Sequence, residues 1–145
     1  MSIYILDSNI LLRLAEVPHP THRVADDAIQ KLLAQGHSCA VFPQNVREFW
    51  NTATRPSDKN GLGLTPAQTQ AQIASLLGLY PVLEDGLPAY REWLMLVQAQ
   101  NVSGVQVHDA YLAAAMRVHA ITDLLTFNTT DFKRFGITAV DPATV

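Results

Sequence analysis

The feature that most restricts this chain is its first apolar run, Ile3-Tyr4-Ile5-Leu6, which passes directly into Asp7-Ser8-Asn9. Four bulky residues in a row, β-branched or aromatic at three positions, suit a strand buried on both faces, as in a parallel sheet covered by helices. A carboxylate follows the strand, and a renewed apolar run, Ile10-Leu11-Leu12, follows the carboxylate. Burying an acid there is costly unless a cation or hydrogen-bond donors neutralise it. Whatever folds around this strand must therefore give Asp7 partners.

Downstream, short apolar runs alternate with helical patterns. A helix to about Glu16 ends before Pro18 and Pro20, and Thr21 to Gln35 reads as a second, with Val24, Ala28 and Leu32 as its stripe and Gly36 as its stop. Cys39 to Phe42 is a second strand, and Pro43 opens a helix to about Thr54 whose apolar face is Val46, Phe49, Trp50 and Ala53. Glu48 projects off that face. Residues 55–63 form a loop, and Thr65-Pro66-Ala67-Gln68 is a capping box that opens a helix to about Leu77. Tyr80 to Leu83 reads as a third strand. Pro88 opens a helix with Tyr90, Trp93, Leu94 and Val97 inward, and His108 to His119 is a further helix. Leu124 to Thr126 and Thr138 to Val140 complete the strands. The alternation predicts an α/β fold: one domain over residues 1–145, a three-layer α/β/α sandwich around a central, mainly parallel five-stranded sheet.

Composition narrows the function. Hydrophobic residues are 48% and charged residues 16% of the 145, which suits a globular core and excludes a disordered chain. The net charge is -3, with no basic block, so a nucleic-acid binder relying on a large basic patch is disfavoured. An enzyme whose acidic site is bridged to phosphate by divalent cations remains open. Cys39 stands alone, no apolar run approaches the ~20 residues of a membrane span, and the start lacks a secretory pattern. These features lead to the expectation of a soluble, cytoplasmic protein.

Ligands tend to bind beyond the carboxyl ends of the strands in such sheets. That rule selects four of the 13 acids: Asp7 after the first strand, Glu48 early in the helix after the second, Asp109 at the start of the helix before the fourth, and Asp131 in the turn after the fourth. Individually Glu48 is an ordinary helix acid, and Asp109 and Asp131 are ordinary charges at helix starts. Together they form a hard-oxygen set suited to Mg²⁺ or Mn²⁺. The histidines lack a His-Glu-x-x-His spacing, Gly61-Leu62-Gly63 lacks the setting of a phosphate loop, and Trp50 and Trp93 read as core. Arg47, Arg55 and His108 are candidate substrate contacts.

Four blocks, Ile5-Leu6-Asp7-Ser8-Asn9, Val46-Arg47-Glu48-Phe49, His108-Asp109-Ala110-Tyr111-Leu112-Ala113-Ala114 and Thr126-Phe127-Asn128-Thr129-Thr130-Asp131-Phe132, resemble the signature blocks of the PIN domain family in order and spacing. The nearest likeness is to the compact VapC-type toxins. The resemblance implies a metal-dependent endoribonuclease in which Asp7, Glu48 and Asp109 coordinate Mg²⁺, with Mn²⁺ able to substitute. Asp131 is the fourth acid and Asn128 the competing residue, while Ser8 and Asn9 line the site and orient a carboxylate or water. It further implies an RNA substrate, a small antitoxin protein as partner and a homodimer. Two other readings stand beside it: a non-catalytic PIN-like RNA-binding or assembly module, and a dehalogenase-type phosphatase with Asp7 as nucleophile. The latter has Asn9 where its second Asp belongs.

Overall fold

The computed structural model describes residues 1–145. Its sheet has four parallel strands in the order β2-β1-β3-β4: β1 Ile3–Leu6, β2 Ser38–Ala40, β3 Asp123–Leu125 and β4 Thr138–Val140. The six α-helices are α1 Ser8–Ala15, α2 His22–Ala34, α3 Pro43–Thr54, α4 Pro66–Leu77, α5 Leu87–Ala99 and α6 Gln106–Val118. Short 3₁₀ turns occupy Ser57–Lys59, Thr129–Phe135 and Pro142–Thr144.

The fifth strand expected at Tyr80–Leu83 is not formed. That segment meets the sheet at a single bridge, Val41 with Val82, through two backbone bonds: Val41 N to Pro81 O at 3.0 Å and Leu83 N to Val41 O at 2.8 Å. Pro81 has no N–H to donate, so the ladder stops where it starts.

Period-two alternation along the strands separates two cores. Ile5, Ala40 and Leu124 point to one face, where they pack with Ala89 and Leu96 of α5, Leu112 and Met116 of α6, and Phe132 and Phe135. Leu6, Cys39 and Leu125 point to the other, against Ile10 and Leu11 of α1, Ile29 and Leu32 of α2, Phe49 of α3 and Ile73 of α4. Helices thus cover both faces of the sheet, which is why the strands carry no polar side.

Two stripes differ from expectation. On α2 the buried residues are Ala25, Ala28, Ile29 and Leu32, one position round from Val24. On α5 Ala89 and Leu96 are buried and Trp93 and Val97 partly so, whereas Tyr90 and Leu94 face outward. That helix is apolar on most sides, so periodicity alone could not select its inner face. The Thr65–Gln68 capping box forms as read, with Thr65 Oγ1 accepting from Gln68 N at 3.1 Å and Gln68 Oε1 accepting from Thr65 N at 2.9 Å.

Candidate active site

Asp7 ends β1 and caps α1 at the same time. Its Oδ1 accepts from the Ser8 backbone N–H at 2.8 Å, its Oδ2 accepts from the Thr126 hydroxyl at 2.8 Å, and the residue is 8% exposed. Ser8 therefore serves the carboxylate through its main chain. Its hydroxyl makes no hydrogen bond to Asp7.

Thr126 closes a strand and heads the fourth of the family-like blocks, two positions that assign it no part in the site. It is fully buried just beyond β3, and its hydroxyl uses its one donor on Asp7 and accepts from Asn9 Nδ2 at 3.1 Å and Asn128 N at 3.0 Å. One donor and two acceptors exhaust a hydroxyl. Asn9 Oδ1 accepts in turn from Phe127 N at 3.3 Å. The end of β1 and the end of β3 are thus tied through Asn9 and Thr126, and both oxygens of Asp7 are held. The available signal was topological: a polar β-branched residue closing the strand that pairs with β1.

Glu48 and Asp109 are half-buried, on α3 and in the first turn of α6. Burial, and then the charges of Asp7 and Asp109, push the Glu48 carboxyl up to about 7, with Gln44 and Arg47 opposing. Burial, followed by the charges of Asp131 and Asp7, pushes Asp109 up to about 6. Asp7 is also raised, first by burial and additionally by Asp131, against the lowering effect of Thr126 and Ser8. Each of these three acids is raised by at least one other member of the set, and Asp131 enters it through Asp7 and Asp109. The Asn128 side-chain amide donates to Asp131. These two residues are partners, with the charge on Asp131.

All the donors are oxygen, Arg47 is the one cation that lowers any of the three raised acids, and the chain's two ion pairs, Arg13–Glu16 and Arg117–Glu92, involve none of them. That donor set fits a hard divalent cation. No three His, Cys, Asp or Glu side chains are arranged as a ready cage around one point. Asp7, Glu48, Asp109 and Asp131 are an electrostatically coupled group, and they are the residues that would hold the ion.

The remaining candidates divide. Gln44 of α3 is buried and donates from Nε2 to the His108 carbonyl at 2.7 Å, so it locks the helix bearing Glu48 to the helix bearing Asp109. His108 and Arg47 share a groove beside Glu48. Arg55 is exposed and bonds Thr52 at 2.7 Å, while His19 and His22 make local bonds to Thr21 and to the Arg13 carbonyl. Trp50 and Trp93 pack against the two cores, and Trp93 donates to the Val107 carbonyl at 2.9 Å.

The PIN domain family matches residues 4–137 of the chain. No curated protein sequence matches it. Among solved structures, it is similar to VapBC2 from Rickettsia felis, bound to a DNA fragment from their promoter, with a TM-score of 0.69 at 17% identity over 95% of this chain and 97% of that one. A toxin-antitoxin complex from Klebsiella pneumoniae gives 0.64 at 21% identity over 96% and 97%. VapC20 from Mycobacterium tuberculosis, described as a sarcin-ricin loop cleaving toxin, gives 0.63 at 18% identity over 91% and 94%. At these identities the likeness is one of fold.

Proposed function

The chain belongs to the PIN domain family, and on that premise we propose that it is a Mg²⁺- or Mn²⁺-dependent endoribonuclease, the toxin of a toxin–antitoxin pair. The observation that carries this reading is the gathering of buried Asp7 and half-buried Glu48 and Asp109 within reach of one another's or Asp131's charge, beyond the carboxyl ends of the strands, where burial first and those charges next raise all three.

In this reading the four acids hold the cation. When bound, the ion supplies Lewis-acid activation of water and neutralises charge developing on the phosphate. The chain's own residues do the positioning. Thr126 and Ser8 fix both oxygens of Asp7, Asn9 fixes Thr126, Gln44 sets α3 against α6, and Asn128 orients Asp131. Water attacks phosphorus, the ester bond to the leaving oxygen breaks, and that oxygen takes a proton. Retention of all four acids favours this over a non-catalytic module. The family match takes away the support for a dehalogenase-type phosphatase.

A small antitoxin partner and a homodimer belong to the same proposal. Support comes from the toxin–antitoxin complexes of similar fold and from exposed apolar side chains along α5, among them Leu87, Tyr90, Leu94 and Met95. No helix is long and apolar enough to cross a membrane.

The test is cleavage of a mixed RNA pool with Mn²⁺, comparing the wild type with Asp7→Asn and Asp109→Asn. Loss of about 10²-fold or more in rate is expected for each, the scale of removing one group that stabilises developing charge. Cleavage that persists without metal, or that survives both substitutions, would overturn the proposal.

A further inference from the structure

Beside Glu48 lies an open groove that the acidic group does not fill. Its lining residues are Gln44, Arg47, Glu48 and Asn51 of α3, with Val105 and His108 at the start of α6. The four α3 residues stand at i, i+3, i+4 and i+7, so they form one continuous face of that helix. A polar helix face is ordinarily a solvated one. This face instead looks across a groove at α6, and the two walls are fixed to one another by the Gln44 Nε2 bond to the His108 carbonyl at 2.7 Å.

Three further observations give the groove a ligand preference. Gln44, on the α3 wall of the groove, is only 5% exposed, and its buried Oε1 has no hydrogen-bond donor within the chain. Arg47 takes part in neither of the chain's ion pairs, and its charge reaches both Glu48 and Tyr111. Val105, the single apolar lining residue, is 80% exposed at the rim. An unpaired guanidinium suits a phosphodiester. Amide side chains carry both a donor and an acceptor, which suits the edge of an unstacked base, and an exposed aliphatic side chain offers a surface to its flat face.

Taking the ribonuclease reading as given, we propose that this groove is the subsite for the nucleotide adjoining the scissile phosphate in single-stranded RNA, with Arg47 on its phosphate and Asn51 and His108 on its base.

The experiment measures steady-state cleavage of a randomised single-stranded RNA library in Mn²⁺, with product ends sequenced, for wild type, Arg47→Gln, Asn51→Ala, Asp7→Asn and the distant surface variant Arg23→Gln. Arg47 and Asn51 are exposed, so melting temperatures should match the wild type. At pH 8 and saturating Mn²⁺, where Glu48 is ionised with or without its neighbour, Arg47→Gln is expected to raise KM about tenfold with kcat little changed, since tenfold corresponds to about 1.4 kcal/mol, the scale of one charge-assisted hydrogen bond. Asn51→Ala is expected to flatten the nucleotide preference next to the cleaved bond. Arg23→Gln should do neither. If Asp7→Asn is inactive while Arg47→Gln and Asn51→Ala keep the wild-type KM and flanking preference, the subsite is wrong and the ribonuclease reading stands. If the wild type leaves the library uncut, both fall together.

Discussion

Asp7 was legible because its cost is visible in one dimension: an acid between two apolar runs has to be neutralised by something. Thr126 was not, because its role depends on β3 lying beside β1, a neighbourhood that no local pattern announces. The two residues make a testable pair. Thr126→Val keeps the shape and removes the hydroxyl, leaving one oxygen of a buried carboxylate and the Asn128 N–H without their partner. A loss of about 1–3 kcal/mol in stability is expected, read by urea denaturation, together with weaker Mn²⁺ binding by calorimetry. Thr126→Ser should recover most of both. If the valine variant binds Mn²⁺ like the wild type, Thr126 does not orient Asp7. The same scale separates Asp131 from Asn128. The charge that raises Asp7 and Asp109 sits on Asp131, and the Asn128 amide donates to it. Asp131→Asn should therefore cost more cleavage than Asn128→Ala; the reverse order would make Asn128 the ligand.

At the scale of elements, the helices were far more legible than the strands. Capping at Thr65, proline at the first turns of α3 and α4, and a stop at Gly36 are local chemistry and formed where the sequence puts them. Strands of three or four residues have too little sequence to fix their ends, so β2 stops at Ala40 and Val41 serves only the bridge. Tyr80 to Leu83 has the composition of a strand, yet Pro81 denies it a ladder. On α5 the burial pattern was lost in a helix that is apolar nearly all round. Gln44 escaped notice because its partner is a main-chain carbonyl on another helix. The local and tertiary contributions predict different outcomes. Thr65→Ala removes a cap on an exposed helix start that carries none of the acids, and should cost about 1 kcal/mol of stability with cleavage unchanged. Gln44→Leu leaves the helix intact but unties α3 from α6. It should lower Mn²⁺ affinity at least several-fold by calorimetry while the far-ultraviolet circular dichroism stays as in the wild type. A drop in affinity from Thr65→Ala as large as that from Gln44→Leu would mean that general destabilisation, not the tie, sets the site.

For the whole molecule, the acidic group makes stability, metal and pH a single linked quantity. Glu48 and Asp109 titrate near 7 and 6 in the folded chain, above their ordinary 4.5 and 3.8, and Asp7 shifts the same way. Between about pH 4 and pH 7 the folded chain therefore keeps protons that the unfolded chain has released. Stability changes with pH in proportion to protons bound unfolded minus protons bound folded, so this contribution is negative across that window. Metal-free protein should lose stability as the acids ionise while buried and close to one another, melting lower at pH 8 than at pH 5. A divalent cation binds the ionised form and opposes that loss. At a hundred times its dissociation constant it contributes about 2.7 kcal/mol, which for a chain of this size is on the order of 5–10 °C in Tm. The rise with Mn²⁺ should thus be large at pH 8 and small at pH 5, where protons compete for the same oxygens. Cleavage should climb with pH through the range 6 to 7, and more Mn²⁺ should move that limb toward acid. In Asp7→Asn the Mn²⁺ response at pH 8 should largely vanish. Melting scans at the two pH values, with and without Mn²⁺, decide the matter: a metal-free Tm that is flat or rising from pH 5 to pH 8, with an equal Mn²⁺ response in Asp7→Asn, would show that these carboxylates are not the coupled group that governs the fold's acid and metal behaviour.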